Sequence, residues 1–350
     1  LMSCQIFSGG KGGTISTSVR AIKYAADNGA SIIQCSWGYP TQSPFTSDSY
    51  YERNYAAEKE AIDYFVSKKN NDVLDGGLAI FAAGNDATNF ASYPGGYRSY
   101  VSVTSFGPDY LPAYYTNYGP GCNVAAPGGD ASISPAGTRA AQVLSTLPSE
   151  LPAELGTDGA DYGYMQGTSM ACPHVSGVAA LGLSYAAKLR RHFTADEFKA
   201  LLHETATPID DYMSGMKLYY RYVADVGLNQ PMQLNKSNYR GQMGAGQANA
   251  AKLLNAVAGN GTQVSFPNLY INLGGEVTAI PANYFLGGET MTYTVSISDT
   301  TVATASVEGR KLTVKGLRSG TTKASITSSG NETHTFNITV RKVANGNGWL

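Results

Sequence analysis

The stretch QGTSMACPHVSGVAAL, residues 166–181, places a glycine and a serine before a run of small and apolar residues. This composition predicts a buried, closely packed helix that begins near Ser169. Gly167 allows the backbone to approach a ligand, and the free N–H groups of a helix N-terminus favour negative charge. Ser169 is therefore a candidate nucleophile, and an ordinary helix cap is the alternative interpretation.

A nucleophilic serine needs a base, and His174 follows Ser169 by five residues. At ~100° per residue the two side chains of a helix would point ~140° apart, so His174 is not expected to reach the serine oxygen. His192 and His203 lie in later predicted helices, and His334 lies in a C-terminal β-rich segment. The sequence thus predicts a serine without an adjacent histidine.

Around this stretch, apolar runs alternate with segments of helical periodicity. The apolar runs predict strands at residues 1–7, 31–38, 77–85, 100–106 and 122–128. The periodic segments predict helices at residues 14–30, 58–70, 169–191, 194–206 and 244–258. This order predicts an α/β fold, a mainly parallel sheet with helices on both faces. We expect residues 39–57 to form a long loop and residues 207–243 a surface insertion.

Polar or glycine-rich motifs follow three of the predicted strands. They are Ser36-Trp37-Gly38, Ala83-Gly84-Asn85 and Pro127-Gly128. Ligands of open parallel sheets bind at the carboxyl ends of strands. The three motifs together, more than any one of them, predict a site at this edge.

From about residue 262 the pattern changes to alternating β-branched runs separated by turns, which predicts a small all-β sandwich. We therefore place an α/β domain at 1–260, a sandwich at 261–343 and a linker or cut end at 344–350. The sandwich contains one histidine and no grouped carboxylates. These features favour a binding or spacer module over a catalytic one.

Composition excludes several classes of function. A net charge of −1 gives no reason to expect nucleic acid or an anionic membrane as partner, and no apolar run is long enough to span a membrane. The four cysteines form no CxxC pair, so we expect no metal site. Cys4, Cys35 and Cys172 lie in apolar runs and are expected to be buried.

The segment GTSMACPHVSGVAAL resembles the serine-nucleophile signature of subtilisin-like serine proteases, with Cys172 where most relatives carry serine. Further segments resemble segments of this family and follow one another in the same order as in the family. They are IIQCSWG, AIFAAGN, YPGGYRSYVSVTSF, NYGPGCNVAAPGG and GQMGAGQANAAKLL. The similarity covers roughly residues 1–258. It implies a serine endopeptidase that acts on extended peptides or proteins.

The resemblance also implies roles for individual residues. Ser169 would be the nucleophile, and Asn85 would donate its side-chain amide to the oxyanion together with the backbone N–H of Ser169. Other residues would form or shape the pocket for the residue before the scissile bond: Ser36, Trp37, Gly38, Ala82, Ala83, Gly84 and Ser92. No cofactor is implied. Calcium sites are common in the family, but the sequence has no compact acidic loop that requires one.

In this family the catalytic aspartate and histidine precede the serine, and LMSCQIF resembles the strand after the histidine helix. We therefore expect an N-terminally truncated subtilisin-like fold that is inactive by itself. The alternative is a catalytically dead scaffold that acts as a surface binding protein. A nonproteolytic α/β hydrolase is disfavoured because the residues around Ser169 do not form G-x-S-x-G.

Residues 295–327 resemble bacterial immunoglobulin-like domains, which are often appended to surface proteins. The resemblance implies spacing, substrate presentation or cell-surface contact. Together with the protease signature, it implies a bacterial protein that is extracellular or at the cell surface.

Overall fold

The computed structural model describes residues 1–7, 13–41, 47–147, 161–259, 266–285 and 290–342. The chain forms two compact units, Leu1–Ala258 and Gly259–Leu350. Within the described ranges, no helix has the length and apolar character needed to cross a membrane.

The first unit contains helices and strands in alternation. The described helices are α1 (Ile15–Asp27), α2 (Asp48–Asn54), α3 (Ala56–Ser67), α4 (Thr168–Lys188), α5 (Ala195–Glu204) and α6 (Ala250–Ala258). The strands are β1 (Ile32–Cys35), β2 (Leu74–Asp75), β3 (Leu78–Ala82), β4 (Val101–Phe106), β5 (Val124–Pro127), β6 (Val143–Thr146), β7 (Tyr162–Met165), β8 (Phe193–Thr194), β9 (Met216–Val223) and β10 (Leu228–Asn235).

A four-stranded parallel sheet in the order β1-β3-β4-β5 forms the centre of this unit. All five residues of β3 are buried, and they alternate between two cores. Leu78 and Ile80 join a core with α4, α5 and α6, whereas Ala79 and Phe81 join a core with α1 and α3. The predicted parallel sheet with helices on both faces is therefore confirmed.

Two antiparallel strand pairs and a capped helix lie outside the central sheet. Strand β6 pairs with β7, and β9 pairs with β10 over eight residues. Helix α5 begins with a capping box formed by Thr194 and Glu197. The predicted surface insertion at 207–243 therefore contains a regular β-hairpin.

Several predictions of local structure were wrong. Residues 1–7 form no strand, since none of the described strands pairs with them. Residues 39–57 include α2, whose Tyr51 is 2% exposed, because this tyrosine packs as a core residue. Helix α6 begins at Ala250 rather than 244, since Gly244 and Gly246 adopt positive φ.

The cysteines differ in burial. Cys35 and Cys172 are buried as predicted, but Cys4 is half-buried because the segment 1–7 pairs with no described strand. All four cysteines are free thiols.

The second unit consists of two β-sheets around one apolar core. Its strands are β11 (Leu269–Asn272), β12 (Glu276–Ala279), β13 (Tyr293–Ile297), β14 (Ala303–Glu308), β15 (Lys311–Gly316), β16 (Gly320–Ser328) and β17 (Thr333–Arg341). One sheet has the order β11-β17-β16-β13 and the other β12-β15-β14. Leu312 and Val314 of one sheet share the core with Ile326 and Ile338 of the other.

A fully buried carboxyl group lies between α1 and α3. Glu58 accepts hydrogen bonds from Ser18 Oγ at 2.7 Å, from Tyr39 at 2.8 Å and from Tyr51 at 3.3 Å. Burial raises the pKa of Glu58 above its ordinary 4.5, although the three hydroxyl donors oppose the shift. The fold therefore binds a proton at this site more strongly than the unfolded chain does.

The Glu58→Gln variant tests this carboxyl group. Because the pKa of this carboxyl is higher in the folded protein than in the unfolded chain, loss of its proton costs more in the folded protein. The fold therefore loses stability as pH rises from the unfolded pKa toward the native pKa. We expect the stability of Glu58→Gln relative to wild type to increase as pH is raised from 4 to 7, measured by urea denaturation. Glu60→Gln, on the exposed side of the same helix, should show no such trend. A pH-independent difference for Glu58→Gln would contradict the assignment.

Candidate active site

Ser169 lies in the first turn of α4 and is half-buried. Its Oγ donates a hydrogen bond to the backbone carbonyl of Ser36 at 3.2 Å, and the Oγ of Ser36 donates to the backbone carbonyl of Ser169 at 2.6 Å. These reciprocal bonds attach the start of α4 to the residue that follows β1. The nucleophile candidate is thereby held at the carboxyl edge of the sheet.

Asn85 lies at the same edge, just after β3, and is exposed. Its Oδ1 accepts hydrogen bonds from the backbone N–H and the hydroxyl of Thr168, both at 2.9 Å. The Thr168 hydroxyl in turn accepts from the backbone N–H of Gly84 at 3.2 Å. Within the described residues Nδ2 of Asn85 donates no hydrogen bond, so this amide is oriented but available to a ligand. Thr168, which is fully buried, was not identified from the sequence.

A cavity of about 250 Å3 lies beside the serine, and we name it the Trp37 cavity. Most of the predicted pocket residues line it, and the lining consists of Trp37, Gly38, Tyr39, Pro40, Ala82, Gly84, Asn85, Asp86, Ser92, Thr168 and Ser169. Trp37 packs edge-on against Phe81 of the sheet, with ring centroids 5.5 Å apart. The indole is therefore supported from beneath by the core.

Two predicted pocket residues, Ser36 and Ala83, do not line this cavity. Ser36 bonds to the backbone of Ser169 instead. Ala83 is fully buried, and its carbonyl accepts hydrogen bonds from Ser92 N at 2.7 Å and from Asn117 Nδ2 at 3.0 Å. It therefore supports the cavity wall from behind and does not form its surface.

Asn117 supports the segment around Asn85, a function that the sequence did not indicate. The side chain of Asn117 donates to the carbonyl of Ala83 and accepts from the backbone N–H of Asp86 at 2.9 Å. It thus fixes the chain on both sides of Gly84-Asn85. The signal in the sequence is its position in NYGPG, part of a segment that resembles the subtilisin-like family.

None of the four histidines is hydrogen-bonded to Ser169 within the described residues. His174 Nδ1 donates to the carbonyl of Met170 at 2.8 Å, as expected from the angle along the helix. His192 lies 3.2 Å from Asp75, and His334 contacts Glu332 in the second unit. In the same ranges no group of three or more His, Cys, Asp or Glu residues is arranged to hold a metal ion.

Comparison with protein families identifies the chain. The model of the subtilase family, Peptidase_S8, matches residues 1–229, which is more than half of the chain. The chain belongs to the subtilase family. The matched region includes all predicted site residues and ends in β10. The resemblance of motifs in the sequence extends further, to residue 258. Its curated relatives are serine proteases, so the chain belongs to a family of serine proteases.

Two curated relatives show the extent of the similarity. The thermophilic serine proteinase of Bacillus sp. (strain AK1) is 30% identical over 210 residues, which are 60% of this chain and 40% of that protein. The halolysin-like extracellular serine protease Nep of Natrialba magadii is 32% identical over 209 residues, 60% of this chain and 30% of that protein. The subtilase chain therefore spans well under half the length of either relative.

Solved structures share the fold. A crystal structure of a lanthipeptide protease matches with a TM-score of 0.51 at 21% identity, covering 72% of this chain and 69% of that protein. This similarity shows a common fold.

The conformation of Gly84 leads to a test of the site scaffold. Gly84 has φ +108°, and a Cβ there would overlap Ser92 Oγ and Asn117 Nδ2. We expect Gly84→Ala to destabilise the fold by roughly 2–4 kcal/mol in urea denaturation, because backbone strain and overlap add. Gly29 also has positive φ, at +85°, but open space around it. Gly29→Ala should cost about 1 kcal/mol, and equal costs for both variants would contradict the packing described.

Proposed function

We propose that this chain carries the nucleophile and the oxyanion site of a serine endopeptidase. Ser169 Oγ would attack the carbonyl carbon of a peptide bond and expel the amine of the following residue. The negative charge on the carbonyl oxygen would be stabilised by Asn85 Nδ2 and by the backbone N–H of Ser169 at the start of α4. The principal support is the fixed orientation of Asn85 by Thr168, the residue directly before the serine.

The proposed substrate is an extended peptide or protein segment. Its residue before the scissile bond would occupy the Trp37 cavity, which Ser169 and Asn85 both line. The backbone of Ser36–Gly38 and Ala82–Gly84 would pair with the peptide, as in other complexes that add a strand to a sheet edge. Ser92, which is 3% exposed, would contribute to the depth of the cavity.

We propose that the base which activates Ser169 is supplied by sequence outside this chain. A serine hydroxyl is a weak nucleophile at neutral pH without an adjacent base, and the four histidines have the other contacts described above or lie on α5. The chain by itself would then be inactive or nearly so. A catalytically dead scaffold with a binding function is the alternative. Retention of both Ser169 and an oriented Asn85 favours the enzyme.

We further propose an extracellular or cell-surface location. A relative that is described as an extracellular serine protease supports this location. The second unit would act as an immunoglobulin-like module for spacing, substrate presentation or cell-surface contact, and its two sheets around a shared core fit that role. No cofactor would be needed for the reaction, and the sequence does not require a structural calcium ion.

Labelling with a serine-reactive fluorophosphonate tests the function. We expect Ser169 in the 350-residue chain to react about 10²–10⁴-fold more slowly than in a protein extended by its natural upstream sequence, since a general base contributes about that factor. Mass spectrometry of tryptic peptides would locate the label, and Ser169→Ala should abolish it in both proteins. Equal rates in the two proteins would contradict a base outside the chain. No labelling in either would favour the dead scaffold.

A further inference from the structure

The hairpin of β9 and β10 encloses a second cavity with the segment that follows β5. Its volume is about 330 Å3, and we name it the hairpin cavity. Tyr114 and residues 131–137 contribute one side, and Tyr220, Arg221 and Tyr222 contribute the other. The site proposed above makes no use of this cavity.

The hairpin is attached to the segments that follow β4 and β5, so the cavity is part of the folded unit. Lys217 of β9 is 4% exposed, and its Nζ donates to the carbonyl of Pro112 at 2.9 Å and to the buried carboxylate of Asp130 at 2.8 Å. Further along the hairpin, Asn229 Nδ2 donates to the carbonyl of Pro135 at 2.8 Å. A buried cation that contacts a buried carboxylate fixes the position of the strand that carries it.

The cavity lies at the same edge of the sheet as Ser169. The segment after β5 bonds directly to the two residues before Thr168: the backbone N–H of Gly167 donates to Gly128 at 2.9 Å, and that of Ala131 donates to Gln166 Oε1 at 2.6 Å. The Trp37 cavity lies at the ends of β1 and β3, whereas the hairpin cavity lies beyond β5. Two strand spacings of ~4.8 Å separate β3 from β5, so an extended peptide needs about three residues or more to pass from one cavity to the other.

The chemistry of the hairpin cavity favours a carboxylate. Of the described residues that line it, Arg221 alone is charged, and no residue of the described ranges forms an ion pair with it. Arg221 is exposed, the cavity is also lined by Tyr114, Tyr220 and Tyr222, and Tyr114 stacks on Tyr219 with centroids 5.2 Å apart. A guanidinium without an ion-pair partner binds carboxylates through two parallel N–H donors.

We propose that the hairpin cavity is a substrate subsite on the leaving-group side of Ser169. Arg221 there selects an aspartate or glutamate a few residues after the scissile bond. The inference rests on the proposed function, since the Trp37 cavity defines the other end of the peptide.

Peptide binding tests the inference without requiring catalysis. The probes are fluorescein-labelled decapeptides of alanine with one leucine at a fixed position. A single glutamate is placed in turn at each position after the leucine, and each peptide is compared with its glutamine counterpart. Anisotropy with the 350-residue chain should show about fivefold tighter binding for glutamate at one or two adjacent positions. Arg221→Glu should remove this preference and favour lysine at the same position.

Arg240→Glu is the matched control, because Arg240 is exposed, lies outside the cavity and changes the net charge equally. It should retain the preference for glutamate. Equal binding of glutamate and glutamine peptides by wild type, or equal losses in the two variants, would overturn the subsite while leaving the proposed function intact. Absence of binding by every peptide would contradict the proposed function and the subsite together.

Discussion

The attachment of the α4 N-terminus to the carboxyl edge of the sheet is the interaction on which the site depends. Ser169 and Ser36 exchange hydrogen bonds, and Asn85 accepts two from Thr168. Ser169 at the start of α4 and Asn85 after β3 are thereby held beside the same cavity. An oxyanion formed there would meet donors that are already oriented, so little reorganisation would accompany the reaction.

This attachment requires small residues at the helix start and close backbone contacts beneath it. Gly167 has φ +149° and donates its N–H to the carbonyl of Gly128. A Cβ at Gly128 would overlap Ser105 Oγ. Ala171 and Cys172 in the next turn are fully buried against the sheet. The same contacts that position Ser169 therefore also fix the segment that continues into the hairpin cavity.

The structural features that could be predicted from the sequence are those that depend on contiguous residues. The serine motif, the strand that precedes Asn85 and the buried α4 could be predicted because each is a local pattern of composition or spacing. The role of Asn117 could not, since its bond to Ala83 joins residues 34 positions apart. Residues 1–7 were misjudged because apolar composition alone does not supply a neighbouring strand. The hairpin cavity depends on long-range contacts such as Lys217 with Asp130, for which the sequence offered no signal.

In the proposed function, Ser169 and its oxyanion donors are assembled in this chain without their base. The most direct measurement is the rate of acylation of Ser169 by a p-nitrophenyl ester, followed by intact mass spectrometry with and without added imidazole as an external base. We expect slow acylation that rises in proportion to imidazole concentration and falls by about 10²–10³ in Asn85→Ala. Asn89→Ala, at an exposed position outside the Trp37 cavity, should leave the rate unchanged. Rapid acylation that is independent of imidazole, or an Asn85→Ala rate equal to wild type, would contradict this proposal.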